Sequence, residues 1–213
     1  MLTRASIGIE VVNPLQPLSL SPLPCYKSFI TINGDAETVF QVLLDYGHLR
    51  NEWDINYEKC ESLNDLDFDM SKKELTKASD FLHLTLKKPS VYNAASRDFA
   101  LYREWWRDSS DREKGESYVI VHRSTRSLCI PETLPGVVRA YMAGWAYVVM
   151  PLHNSSKTGS SIGKCVVMQL LELNPGGWIH LIPNDTRRYA FDVRTIFVSK
   201  SYLSNCLLSV YLH

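Results

Sequence analysis

No stretch of the chain approaches the roughly 20 consecutive apolar residues that a helix needs to span a bilayer, so any membrane contact is expected to be peripheral. There is no excess of charge of either sign: 23 Lys and Arg balance 23 Asp and Glu. The basic residues are scattered rather than gathered into a stripe, which leaves no long-range field for nucleic acid or an anionic surface. Cysteine offers no framework either. Cys25, Cys60, Cys129, Cys165 and Cys206 are odd in number and far apart, with no C-x-x-C pair and no His at ligand spacing. That pattern speaks for free thiols in a reducing, cytoplasmic compartment and against a metal site. A Gly-rich phosphate loop, a G-x-S-x-G elbow and an internal repeat are all missing. At the N-terminus, Glu10, Asn13 and four prolines interrupt residues 1–24 before a uniform apolar region forms, so this stretch reads as neither signal peptide nor anchor.

What is present is enough apolar material for one large core or cavity. The chain has 213 residues, 45% of them hydrophobic, and a chain of this length buries about 70% of the surface its unfolded form exposes. Tyr26 to Ile32 alternates and is rich in aromatic and β-branched residues, the signature of a strand, and Asn33-Gly34 closes it. Asp35 is placed to cap a helix of about three turns, with Glu37 in its first turn and Ala36, Val39, Phe40, Val42, Leu43 and Leu44 at helical spacing. Further strands are expected, loosely patterned, in Tyr57 to Phe68 and Lys73 to Lys88, then more sharply in Arg97 to Arg107, Tyr118 to Ser124, Val137 to Met150 and Lys164 to Leu173. The segment 183–213 is drawn either as an amphipathic helix or, because DVRTIFVS is rich in β-branched residues, as a strand.

The strand VVRAYMAGWAYVVM is apolar on both faces, so something apolar must cover or fill each side of its sheet. The order strand, helix, then a run of antiparallel strands is α+β rather than α/β.

Four runs, SRDFALYREWW (Ser96 to Trp106), YVIVHRST (Tyr118 to Thr125), PGVVRAYMAGW (Pro135 to Trp145) and LNPGGW (Leu173 to Trp178), resemble in order and spacing the START family of lipid-transfer domains. AETVFQVLLDYGHLRNEWD (Ala36 to Asp54) is similar to that family's first helix and its Trp-Asp signature. The resemblance covers about Tyr26 to Ile179. NPGGW resembles the phosphatidylcholine- and ceramide-transfer branch, whereas the stretch ending in NEWD resembles the plant enhanced-disease-resistance type, in which the domain follows a pleckstrin-homology domain. The resemblance implies a helix-grip fold: a curved antiparallel sheet wrapped around a C-terminal helix, with an internal lipid cavity between them. It also implies a bound lipid as the one ligand, no further cofactor and, as in most members, no chemistry. Residues 1–25 form a Pro-rich segment that departs from the family pattern, and residues 26–213 the lipid-binding domain, with 183–213 divergent.

Several residues are singled out. Arg103 resembles a cavity arginine of cholesterol-binding members. If Phe99, Leu101 and Trp105 face inward, alternation turns Arg103 inward as well, to hold a lipid hydroxyl or phosphate, whereas a bulge would leave it outside beside Glu104 or Asp108. Asp54 resembles an acid that accepts hydrogen bonds from ceramide and would pair with Arg103 when the pocket is empty; otherwise it is an N-cap or turn residue after Trp53. His122 and Gln169 fall where the ceramide-binding member has an Asn and a Tyr, or else are satisfied core or surface polar groups, and nothing near Thr85-Leu86 supplies that member's fourth contact, an amide. Trp105 and Tyr141 complete the expected lipid-contacting set. Val91, Tyr92 and Trp178 correspond to the rim that gates the cavity and touches membranes, where an aromatic with one apolar and one wet end is at home.

The function expected from these residues is binding of a single lipid, a phospholipid, a ceramide-like lipid or a sterol, for transfer between membranes by a monomer. The alternatives are a lipid-gated sensor domain of a larger protein and, last, a hydrolase or cyclase on the same fold, for which Asp54 and His122 would have to pair.

Overall fold

The computed structural model describes residues 7–12, 25–54, 56–63, 76–88, 95–109, 115–126, 130–131, 134–152 and 163–177. Strands β1 (Ile7–Val12) and β2 (Cys25–Asn33) precede helices α1 (Ala36–Leu44) and α2 (His48–Trp53). Seven strands follow: β3 (Tyr57–Ser62), β4 (Lys77–Leu86), β5 (Ser96–Asp108), β6 (Ser117–Ser124), β7 (Val137–Arg139), β8 (Tyr141–Leu152) and β9 (Lys164–Asn174). They form one curved sheet in the order β1-β2-β9-β8-β6-β5-β4-β3, antiparallel throughout, while the short β7 pairs in parallel with β5. Pairing of β2 with β9 sets the early chain beside the late chain. The α+β class and the curved antiparallel sheet are as the sequence leads one to expect. The C-terminal stretch 183–213 lies outside the described residues.

α1 begins where expected because Asp35 caps it: its backbone is extended and its carboxylate accepts from Thr38 N at 2.8 Å and from the Thr38 hydroxyl at 2.6 Å. Ala36, Val39, Phe40, Val42, Leu43 and Leu44 are all buried, and the helix lies on the inner face of the sheet. Phe40 stacks on Tyr118 at 4.7 Å and meets Trp105 edge-on at 5.6 Å. Such a ring contributes about 1.5–3 kcal/mol through burial alone. The chain then turns on Asp45, whose carboxylate accepts from the backbone N–H of Gly47 and, at 3.1 Å, of Leu49, and this starts α2.

Three features differ from the expectation. β1 forms within the Pro-rich N-terminal stretch, because IGIEVV alternates and finds β2 as its partner. The strand expected from Val137 to Met150 is broken at Ala140, whose N–H bonds to Asp98 O at 3.0 Å after β7 has paired with β5. Finally, β8 carries a bulge between Met142 and Gly144, which reverses the facing of the residues before it.

Candidate functional site

The inner face of the sheet under α1 is apolar at one end and polar at the other. Alternation along β5 turns Phe99, Leu101, Arg103 and Trp105 inward, and register places Arg103 beside Asp80 on β4 and His122 on β6. The same alternation brings in Trp145 and Tyr147 from β8, Gln169 from β9 and Ser28 from β2. From above, the α1–α2 turn supplies Tyr46, and α2 supplies Arg50, Trp53 and the following Asp54. Arg50, Trp53, His122, Tyr147 and Gln169 are each no more than 1% exposed. So many buried polar groups carry a desolvation cost that only mutual pairing or a ligand offsets.

The pairing is specific. Arg103 donates Nε to Asp80 Oδ1 at 2.8 Å, Nη2 to Asp80 Oδ2, and Nη1 to Leu44 O at 2.7 Å. Arg103 therefore faces inward, with its side chain 12% exposed. Glu104 turns out and meets Lys77. Asp54 does not reach Arg103. It accepts from Arg50 Nε at 2.9 Å, one helical turn back, and from Asn56 N at 3.1 Å, so it serves both as turn residue and as counter-ion to Arg50. His122 stacks on Trp145 at 4.7 Å and shares a 3.0 Å hydrogen bond between its Nε2 and the Tyr46 hydroxyl. Asp54 and His122 thus take different partners and form no acid–base couple. Gln169 accepts from the Ser28 hydroxyl and donates to the Tyr147 hydroxyl, each at 3.4 Å. The guanidinium groups of Arg50 and Arg103 lie 4.7 and 5.2 Å from the centre of the Tyr46 ring.

Burial sets the protonation of this cluster. It holds His122 well below the ordinary imidazole value, and the nearby positive charges of Arg103 and Arg50 push the same way, so the ring stays neutral. Burial pushes the Tyr147 hydroxyl up to about 12 and the Tyr46 hydroxyl higher still, so both keep their protons. Burial opposes the charge on Arg50 and Arg103, but the carboxylates beside them, Asp54 for the first and Asp80 for the second, favour it.

Of the remaining residues read from the sequence, Trp105 is buried, but against Phe40 at the apolar end, away from the polar cluster. Tyr141 is a correction. It is 56% exposed and lines a surface cleft with Phe81, Tyr102 and Arg123, because the bulge before Gly144 turns Met142 inward in its place. Val91, Tyr92 and Trp178, expected at the rim, lie outside the described residues. The sequence reading passed over Tyr46, Arg50, Trp53, Asp80, Trp145 and Tyr147. The i,i+4 spacing of Arg50 and Asp54, and the alternation of Trp145 with Tyr147, are the signals that point to them. Among the described residues no group of His, Cys, Asp or Glu is placed to hold a metal ion, and no helix is long and apolar enough to cross a membrane.

The family model of the START domain matches residues 6–198. Among solved structures, the chain is similar to the human StarD13 (DLC2) lipid transfer and protein localization domain, with 16% identity, a TM-score of 0.63, and coverage of 96% of this chain and 85% of that one. Human STARD10 gives 19% identity and a TM-score of 0.65 over 98% of this chain and 71% of its own. A STAR-related lipid transfer protein from Xanthomonas axonopodis gives 18% identity and a TM-score of 0.59 over 94% and 93%. No curated protein sequence matches the chain.

Proposed function

The chain belongs to the START domain family, and from that premise we propose that it binds one lipid at a time on the inner face of its curved sheet and carries it between membranes. The observation that carries this reading is the division of that face. Apolar side chains of α1, β5 and β6 suit acyl chains, and a buried polar cluster drawn from Tyr46, Arg50, Asp54, Arg103, His122 and Gln169 suits a headgroup. Each CH₂ left in water costs roughly 0.8 kcal/mol, so a carrier lowers the barrier to transfer by keeping the chains covered while the polar end is held by hydrogen bonds. Val91, Tyr92 and Trp178 are the proposed gate and membrane contact, and the working form is a monomer peripheral to membranes. The test is transfer of labelled lipids from donor to acceptor liposomes. A carrier accelerates transfer in proportion to its concentration and empties when acceptor membranes are added. A protein that takes up lipid but never delivers it is a sensor, and transfer would be struck from the proposal.

A further inference from the structure

The outer face of the sheet carries a cleft that the lipid reading does not use. Because Leu82, Arg103 and His122 point inward, alternation turns their neighbours Phe81, Tyr102 and Arg123 outward, and register sets these three side by side across β4, β5 and β6. The Phe81 and Tyr102 rings lie 5.3 Å apart, and the Arg123 guanidinium is 5.2 Å from the centre of the Tyr102 ring. The next position in the row is Gly144 of β8, where a Cβ would meet only open space. The bulge just before it sets Tyr141 outward as the far wall. Phe81, Tyr102, Arg123, Tyr141 and Ala143 thereby line a cleft of about 510 Å³, room for a ringed small molecule rather than for a single small ion.

Charge in the cleft is of one sign. Among the described residues Arg123 makes no ion pair and no hydrogen bond, and its charge rests on the Tyr102 ring alone. The Glu104 carboxylate, on the same face of β5, is held by Lys77 at 2.6 Å. Glu172 pairs with Gly144 and so stands two strands from Arg123, about 9–10 Å at ordinary strand spacing. The hydroxyls of Tyr102 and Tyr141 make no hydrogen bond among the described residues and are free to donate.

We propose that this cleft binds a small planar oxyanion, an aromatic ring carrying a carboxylate or a phosphate, with the oxyanion on Arg123 and the ring between Tyr141 and the Phe81–Tyr102 pair. A guanidinium stacked on one ring keeps its N–H edge for two parallel bonds to an oxyanion, while flat rings on either side give a planar ligand apolar contact at little cost in flexibility. A cationic ligand meets Arg123 with no described carboxylate to balance it. A bare inorganic anion leaves the three rings uncovered, and a neutral ring leaves the Arg123 charge uncompensated. Aryl carboxylates and nucleoside monophosphates are the two sources of this chemistry.

The test titrates the full chain with naphthoate and with adenosine monophosphate, using naphthol, adenosine and inorganic phosphate as uncharged and ring-free controls, and follows backbone amide shifts by NMR. At least one of the two oxyanions should bind at least about tenfold more tightly than its uncharged counterpart and than inorganic phosphate, with shifts centred on Phe81, Tyr102, Arg123 and Tyr141. Binding of naphthoate alone makes the source a carboxylate, and binding of adenosine monophosphate alone makes it a nucleotide. Arg123→Gln and Tyr141→Ala, both at exposed positions, should each weaken binding about tenfold with an unchanged melting temperature. Binding of neither probe, equal affinity for the controls, shifts confined to the inner face, or undiminished affinity in both folded variants overturns the proposal. Lipid uptake from liposomes by the same two variants should stay at the wild-type level, so failure of this site and failure of lipid binding are read separately.

Discussion

Arg103 and Asp80 face each other across β4 and β5 as a nearly buried pair, and such pairs are costly to break from one side, because the survivor's charge is left in a low-dielectric setting. Asp80→Ala is therefore expected to destabilise the fold by about 3 kcal/mol or more, read as a shift in the urea midpoint with unchanged slope. His122 makes a different prediction. In the unfolded chain an imidazole takes a proton below about 6.5, whereas in the fold it resists. Its contribution to stability is thus complete above pH 6.5 and declines as the pH falls from there towards the depressed folded value. Urea melts at pH 7.5 and 5.5 should show this loss in the wild type and a smaller loss in His122→Gln; equal losses would contradict it. At this scale the inward facing of Arg103 was only half legible, because strand alternation turns it inward unless a bulge intervenes, and for His122 and Gln169 the pattern left core and surface positions both open. The partner of Arg103 was not, since Asp80 sits in a loosely alternating segment and nothing in one sequence gives the register of β4 against β5. The burial of Arg50 was hidden as well, because an i,i+4 pair with Asp54 reads equally well as a solvated surface pair.

Among the elements, α1 was legible from its cap to its last turn: Asp35, Glu37 and the apolar spacing are all local signals. Its docking rests on Phe40 between Trp105 and Tyr118, and Phe40→Ala is expected to cost about 3–5 kcal/mol by calorimetry or chemical denaturation. The turn after β9 is held by a different device. Gly176 has φ +64, and a Cβ there would sit 2.8 Å from Arg139 O, so Gly176→Ala meets both backbone strain and a clash. A loss of about 1 kcal/mol or more is expected, against little change for Gly144→Ala, where a Cβ meets open space. The elements that escaped sequence reading are those decided by partners. β1 exists because β2 has a free edge, and β8 starts at Tyr141 because Ala140 is drawn to Asp98. The bulge at Met142 to Gly144 carries no signature beyond a glycine, and it alone moved Tyr141 from the expected site to the surface.

For the whole molecule, the two-faced apolar strands demanded a cover on each side, and α1 on the inner face meets part of that demand. One buried polar cluster, assembled from the α1–α2 turn, α2 and several strands, gives the account its central claim, that a single lipid rests on the inner face with its headgroup there. The most direct measurement is organic extraction and lipid mass spectrometry of the freshly purified protein. The account predicts one lipid class at near-stoichiometric amount, lost or greatly reduced in Arg50→Lys. A protein that is well folded, empty as purified, and unable to take up labelled phospholipid, fatty acid, ceramide or sterol from liposomes would contradict it.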